Sequence, residues 1–453
     1  MDLPGDAEIS RQRVALLGYG VENRALGQYL RERGISFAIC DADANIVADP
    51  AVSDEWRLGE GWLEDLGDFN LVFRSPGVPT LRSELQHARA RGVTVSSQTQ
   101  LFLQRVPCPV VGVTGTKGKG TTVSLLAKMF ADRPDTHVGG NIGTPPVQFL
   151  AELNADSLVV LELSSFQLQD MRRSPSTAVL LPVAADHLDY HADRSEYVEA
   201  KASICGFQHP EDIVLYAASD ATADELSRRG RGQRRAVRVD GREVASGAWI
   251  SDGGTVRWRQ GGSESKLFHR DDVHVPGEHN LLNAALAAAT AASLGVEADA
   301  IAAGTRAFLG LSHRLEHVAR HNGVDYVNDS LATTPEAAAA GVVALDQPLA
   351  VIAGGASKGA DFQVLGEAVV KTGVRCLVLM GEEAPRIAAA ASSAGLPSSR
   401  IAEVGTMAEA VREATERVSS GDAVLLSPAC SSFDMFGSYS ERGDAFRAAV
   451  AAL

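Results

Sequence analysis

The chain has 453 residues, with 42 Lys and Arg against 57 Asp and Glu and a formal net charge of −15. At about 150 residues per domain, two or three domains are expected. The acidic balance excludes a broad nucleic-acid or anionic-membrane surface, so any anionic ligand needs a small, focused site.

Cys40, Cys108, Cys205, Cys376 and Cys430 lack C-x-x-C spacing and read as reduced thiols. The opening "MDLPGDAEISRQRV" carries no apolar leader, and the alanine-rich run from Asn283 reads as an amphipathic helix too short to span a bilayer. A cytoplasmic protein without membrane insertion is expected.

Short apolar strands alternate with helical patterns, which predicts parallel α/β sheets in three blocks. The first runs from the strand "RVALLGYG" through a helix over "ENRALGQYLRERG" to a strand "SFAIC" ending at Asp41, then to a strand that stops at Ser75-Pro76-Gly77, and closes near Pro107. The second contains "PVVGVTG", "SLVVLELSSFQL", "TAVLLPVAADHLDYH", "DIVLYAASD", a hairpin turning at Asp252-Gly253, and the alanine-rich helix. The third begins near Leu311 and repeats the βα rhythm through "LAVIAGGASKGADF", "CLVLMGEEAP" and "AVLLSPACSSFDMF".

In the first block, Gly18-x-Gly20 is followed by Asn23 where a dinucleotide fingerprint has its third glycine, while Asp41 is placed to bond a ribose hydroxyl. This reads equally as a nucleotide site or as a tight turn that packs a helix. The run "GTKGKGTT" is more specific, although it departs from G-x-x-x-x-G-K-[ST]. Gly115, Gly118 and Gly120 between a β-branched strand and an apolar helix let backbone N–H groups converge on phosphate. Lys119 adds a charge, and Thr121 or Thr122 can offer Mg²⁺ the hydroxyl that Gly120 lacks.

Glu162 ends an apolar strand, where a buried carboxylate calls for a cation or a donor. His187 also follows an apolar strand and, alone, reads as structural. Lys201 alone reads as a solvated helix residue. Asn280 is placed either to cap a helix or, with Asn283, to bond an adenine edge. His313, Arg314 and Lys358 are cations near turns.

In order, "GTKGKGTT", "LELSSFQL", "DHLDYH", "PGEHNLLNA", "LSHRLE", "NDSLATTP", "GGASKGADF" and "LLSPACSSFDMF" resemble the Mur ligases, in particular the branch that adds glutamate to UDP-N-acetylmuramoyl-L-alanine. The resemblance spans all three blocks. It implies a Rossmann-like UDP-binding domain over 1–106, a central P-loop ATPase domain over 107–310 and a Rossmann-like glutamate-binding domain over 311–453.

It also implies an ATP-dependent amide ligase with an acyl-phosphate intermediate, working as a monomer. Gly115, Thr116, Lys117, Gly118, Lys119, Gly120, Thr121 and Thr122 would grip ATP phosphates, Asn280 and Asn283 adenine, and Arg314 the γ-phosphate, with Asp329 also at ATP. Thr121 and Glu162 would hold one Mg²⁺, and His187 with a carbamylated Lys201 a second. Lys119, His187, Lys201 and Arg314 would be the catalytic set. Val21, Glu22, Asp41, Ser75, Pro76, Gly77 and Asn141 would surround the UDP-sugar, and Thr333, Lys358, Ser432, Phe433 and Tyr439 the glutamate.

Three positions depart from the family pattern: Gly120 for Ser or Thr, Ala356 for an acid, and Leu331 for a lysine. A lost cation near the amino-acid site leads to the expectation of L-glutamate, with an epimerase following in the pathway, against the alternative of D-glutamate. A folylpolyglutamate synthase-like ligase and a nonenzymatic ATP-dependent switch are the other rivals. The hundred or so residues before the phosphate loop argue against the first, and Glu162, His187 and Lys201 beside a full third block against the second.

Overall fold

The computed structural model describes residues 3–141, 143–184, 191–275, 277–356 and 359–453. Three sheets organise the described residues, and the chain divides into two compact units, Met1–Phe308 and Leu309–Leu453.

The first sheet holds β1 (Val14–Leu17), β2 (Ala38–Asp41), β3 (Glu55–Leu58), β4 (Leu71–Arg74) and β5 (Thr94–Ser96). Their order is β3-β2-β1-β4-β5, with every pairing parallel. The chain moves outward from β1 in both directions, so β1 ends at a topological switch point, where open α/β sheets bind ligands.

The second sheet contains β6 (Val110–Thr114), β7 (Thr136–Gly140), β8 (Leu158–Glu162), β9 (Thr177–Leu180), β10 (Ile213–Ala217), β11 (Gln233–Arg238), β12 (Gly247–Ile250), β13 (Thr255–Gln260) and β14 (Ser263–His269). The order is β14-β13-β12-β11-β10-β9-β6-β8-β7. Here β6 is the switch strand, buried along its whole length, flanked by β8 and β9 and parallel to both. The hairpin foreseen at Asp252-Gly253 joins β12 to β13, with Gly254 taking the left-handed conformation at φ 77°. β14 continues it, a strand whose polar start hid it from the hydrophobic pattern.

The alanine-rich helix is Glu278–Ser293, and Leu281 through Ala291 are all buried. It is enclosed on every face rather than amphipathic, since alanine lets strands and neighbouring helices approach from all sides. Among the described residues no helix is long and apolar enough to cross a membrane.

The third sheet comprises β15 (Glu316–His321), β16 (Val324–Asn328), β17 (Leu349–Gly354), β18 (Cys376–Met380), β19 (Ile401–Glu403) and β20 (Ala423–Leu426), in the order β15-β16-β20-β17-β18-β19. Apart from the antiparallel edge strand β15 it is parallel. Its two faces pack separate apolar cores, one including Leu365 and Val369, the other Val411 and Phe446.

Candidate active site

The loop after β6 leads into the helix Lys119–Met129, with Gly118 at its N-cap and φ 88°. A Cβ at Gly118 would stand 2.5 Å from Asn283 Oδ1, so only glycine fits this cradle. Asn283 is thereby brought against the loop from the buried helix, and its Nδ2 donates to Asn280 Oδ1 at 3.3 Å. Lys119 Nζ donates to the carbonyls of Gly115 and Thr116, both at 3.1 Å. Thr122 is fully buried and its hydroxyl donates to Gly118 O at 3.0 Å, whereas Thr121 is half-buried. Of the two threonines, Thr121 is therefore the one available to a metal, and Thr122 shapes the loop.

Glu162 closes β8, is 3 % exposed, and pairs in register with Val113 of β6 and Gly140 of β7. This register puts its carboxylate beside the strand end from which the phosphate loop departs. Asn141 holds it twice: its N–H donates to Glu162 O at 2.8 Å and its Nδ2 to Oε1 at 3.1 Å. Buried carboxylate oxygens and an accessible hydroxyl suit a hard cation such as Mg²⁺.

Lys201 is not the solvated residue that its helical pattern suggests when read alone. It is 1 % exposed on the helix Arg194–Gly206, which Asp193 caps. Its Nζ donates to Gly115 O at 3.1 Å and to Thr114 Oγ1 at 3.4 Å, and lies 4.7 Å from the centre of the Tyr197 ring. Two ammonium groups, those of Lys119 and Lys201, thus share one carbonyl. His187 and Lys358 lie outside the described residues.

The turn after β1 is built differently. Asn23, in place of a third glycine, is fully buried and its Nδ2 donates to the carbonyls of Leu17, Gly18 and Phe73 at 3.0, 2.9 and 3.2 Å. Asp41 accepts the N–H of Tyr19 at 2.5 Å and of Asp43 at 2.8 Å, so its carboxylate shapes the turn from within. Val21 is 69 % exposed at the start of the following helix. Glu22 is half-buried and accepts Gln167 Nε2 at 2.7 Å; burial pushes its carboxyl above the usual range, against the pull of the Gln167 and Gln98 amides.

A second link joins the same two regions. Arg74, just before Ser75-Pro76-Gly77, is buried with Asp170 at 2.6 Å, and it donates to Phe166 O at 2.8 Å and Val78 O at 2.5 Å. The turn that ends β4 is thereby tied to the segment following Glu162.

In the third sheet, Arg314 is exposed between two left-handed non-glycine residues, His313 at φ 62° and Leu315 at φ 44°. Such backbone costs free energy and concentrates at functional sites. Here it is held by His313 O, which accepts Leu331 N–H at 2.9 Å, and by His313 Nδ1 against Asn328 Nδ2 at 3.0 Å. Asp329 is buried against Ser427 Oγ at 2.8 Å and Leu315 N at 3.2 Å, and burial pushes its carboxyl up to about 6.

A cavity of about 220 Å³ is lined by Thr333, Thr334, Ala356, Phe362, Ala429 and Cys430, among others. Ser432 is buried nearby in the chain, Phe433 is 74 % exposed, and Tyr439 starts the C-terminal helix with its carbonyl accepting Ser330 Oγ at 2.7 Å. Arg442, on that helix, was not singled out from sequence. It is buried and donates to Ser330 O and Oγ, Cys430 O and Ser431 O at 3.0 to 3.2 Å, binding together the turns that end β16 and β20. Helical spacing alone gives no sign of such a clamp.

A phosphate loop, a buried acid at the neighbouring strand end and a buried lysine on a helix beyond β9 define an ATP-handling α/β enzyme. The chain matches the Mur ligase middle domain over residues 113–291 and the Mur ligase glutamate ligase domain over 313–430. It is 38% identical over 454 residues to a UDP-N-acetylmuramoylalanine--D-glutamate ligase of Symbiobacterium thermophilum, covering 98% of each chain. A relative of the same name from Pelotomaculum thermopropionicum is 36% identical, over 98% of this chain and 99% of its own.

Among solved structures, MurF from Acinetobacter baumannii aligns with a TM-score of 0.55 at 17% identity, covering 100% of this chain and 93% of that one. UDP-N-acetylmuramate-alanine ligase MurC from Thermotoga maritima aligns at 0.52 and 17% identity, covering 97% and 99%. These two likenesses concern the fold. The chain belongs to the Mur ligase family. It is accordingly an ATP-dependent amide ligase of a family that uses Mg²⁺.

The expectation of L-glutamate finds no support here. These relatives carry D-glutamate in their names. Leu331, on which that expectation stood, is not among the residues lining the cavity beneath Thr333, and its backbone N–H is engaged with His313.

Proposed function

We propose that the chain joins D-glutamate to UDP-N-acetylmuramoyl-L-alanine and converts ATP to ADP and phosphate. The single observation that supports this most is the convergence of Lys119, Glu162 and Lys201 on the loop after β6. In this reading residues 1–106 hold the UDP end, 107–310 the ATP and 311–453 the glutamate. Val21, Glu22, Asp41, Ser75, Pro76, Gly77 and Asn141 belong to the first site. Asn280, Asn283, Arg314 and Asp329 belong with the loop to the second, and Thr333, Lys358, Ser432, Phe433 and Tyr439 to the third.

The carboxylate of the muramoyl-alanine attacks the γ-phosphorus, the bond to the β-γ bridging oxygen breaks, and ADP leaves. The glutamate amine then attacks the acyl carbon, gives up a proton, and phosphate departs. Activation is needed because a carboxylate is a poor electrophile and phosphate a good leaving group. Lys119 exchanges its loop carbonyls for phosphate oxygens, and the loop amides hold the phosphates in line.

Thr121 and Glu162 would hold Mg²⁺, which when bound neutralises charge on the phosphate oxygens. A carbamylated Lys201, with His187, would hold a second. The burial of Lys201 and its shared acceptor with Lys119 support this, since a carbamate beside Lys119 replaces a like-charge contact by an opposite-charge one.

The test is phosphate release with UDP-N-acetylmuramoyl-L-alanine and each glutamate enantiomer. Release should require both substrates, with kcat/KM for D-glutamate at least tenfold above L-glutamate, about 1.4 kcal/mol. A preference for L-glutamate would reverse the hand and leave the ligase standing. Release indifferent to both substrates would remove the ligase reading.

A further inference from the structure

His191, two residues before the cap of the Lys201 helix, takes no part in the reaction as drawn, yet it is 3 % exposed and engaged at both nitrogens. Nδ1 stands 2.5 Å from Glu196 Oε2, and Nε2 stands 2.9 Å from Ser165 Oγ. The other oxygen of Glu196 accepts Gln169 Nε2 at 2.7 Å. A carboxylate only accepts, so Nδ1 carries the hydrogen and, in the neutral ring, Nε2 accepts from the Ser165 hydroxyl. Phe166 stacks on the imidazole at 5.4 Å between ring centres, and Tyr197 meets it edge-on at 5.1 Å.

These partners come from two places. Ser165, Phe166 and Gln169 follow Glu162 in the turn and short helix that leave β8. Glu196 and Tyr197 lie on the helix of Lys201. Tyr197 continues the connection, with its hydroxyl 3.0 Å from Thr116 Oγ1 and its ring against Lys201 Nζ. The imidazole is the joint between the strand end that carries the acid and the helix that carries the lysine.

We infer that His191, oriented by Glu196, is a positioning residue that sets the spacing of Glu162 and Lys201 and through it the affinity of the loop for a divalent cation. The inference rests on the metal role given above to Glu162 and Lys201. Register holds Glu162 to β6 and β7, but the Lys201 helix belongs to a crossover, and the His191 joint fixes it to the turn after β8. Mg²⁺ demands near-octahedral oxygen geometry, and loss of residues that orient metal ligands costs about 10- to 100-fold in affinity. If His191 only filled space, its removal would lower stability and leave metal affinity alone.

The experiment is a titration of Mn²⁺ into protein plus ADP, with free Mn²⁺ read by electron paramagnetic resonance and no turnover involved. His191→Gln and Ser165→Ala should each raise the Mn²⁺ dissociation constant at least about tenfold. The double variant should be no worse than the weaker single, because both break one joint. Ser165→Ala removes only a hydroxyl and carries the test should His191→Gln fail to fold. Mn²⁺ affinity within twofold of the parent in folded Ser165→Ala, or effects that simply add, would overturn the inference. A parent protein that binds no Mn²⁺ with ADP would instead overturn the metal reading and this inference with it.

Discussion

The turn after β1 and the loop after β6 occupy equivalent places, each at the carboxyl end of the strand where its sheet's order reverses. Their contents are opposite. After β1, side chains fill the turn from inside: Asn23 takes three carbonyls and Asp41 takes two backbone amides. After β6, glycine leaves the cradle open and two lysines gather at one carbonyl beside a buried acid. A turn made rigid by its own side chains suits holding a ligand still, whereas an open loop with cations and a metal ligand suits moving charge. Under the proposed function, one topological device would serve as a grip in the first sheet and as a reaction centre in the second.

The strongest attempt to break this contrast is Lys119→Ala. Loss of about 3 to 5 kcal/mol of transition-state stabilisation, roughly two to four orders of magnitude in kcat, is expected, by comparison with losses of oxyanion donors and arginine fingers. Circular dichroism should show an unchanged fold, and near-normal phosphate release from the folded variant would contradict the contrast.

The third sheet offers a check through pH. Asp329 has a folded value of about 6, above the ordinary 3.8. The contribution of Asp329 to stability is then intact below about pH 4, falls as the pH rises toward 6, and is flat above. Asp329→Asn should abolish that fall, worth about 3 kcal/mol at pH 8, while lowering ligation. Denaturant midpoints at pH 4 and pH 8 measure it, and parallel curves for parent and variant would count against the assignment.

A smaller effect is expected from Asn23→Gly, which restores the glycine fingerprint. Three hydrogen bonds are lost at about 1 kcal/mol each, so thermal unfolding should show destabilisation of about 2 to 3 kcal/mol. The KM for the UDP-sugar should rise and kcat should not change. A fall in kcat with unchanged stability would mean that this turn also takes part in chemistry. Smallest of all should be Glu22→Gln, which keeps an acceptor for Gln167 and removes a carboxyl whose folded value lies above its ordinary one. Denaturant midpoints should become less sensitive to rising pH, and a midpoint that falls with pH as steeply as in the parent would count against it.

Strands, glycine turns and the order of the three sheets' leading elements were legible in sequence because hydrophobic runs and glycines act locally. The positions of Lys119 and Glu162 in the fold were legible for the same reason, each lying within a few residues of its strand end. What sequence could not show depends on chain segments far apart. Lys201 taken alone reads as surface; only the family resemblance brought it to the loop, where the crossover helix turns it onto Gly115. His191 closes the quoted "DHLDYH" motif, but its partners Ser165 and Glu196 lie on separate elements. Arg442 clamps turns that precede it by 112 and 12 residues. The expectation drawn from Leu331 rested on a single position, whereas the cavity by Thr333 is built from Thr333, Ala356 and Cys430 on three separate turns.

The division between grip and reaction centre is tested most directly by isotope transfer. UDP-N-acetylmuramoyl-L-alanine carrying ¹⁸O in its carboxylate is turned over with ATP and D-glutamate, and the phosphate released is analysed by mass. The account predicts one ¹⁸O in each phosphate formed, since the carboxylate oxygen that attacks the γ-phosphorus leaves with it. Amide product accompanied by unlabelled phosphate would contradict phosphoryl transfer at the loop after β6.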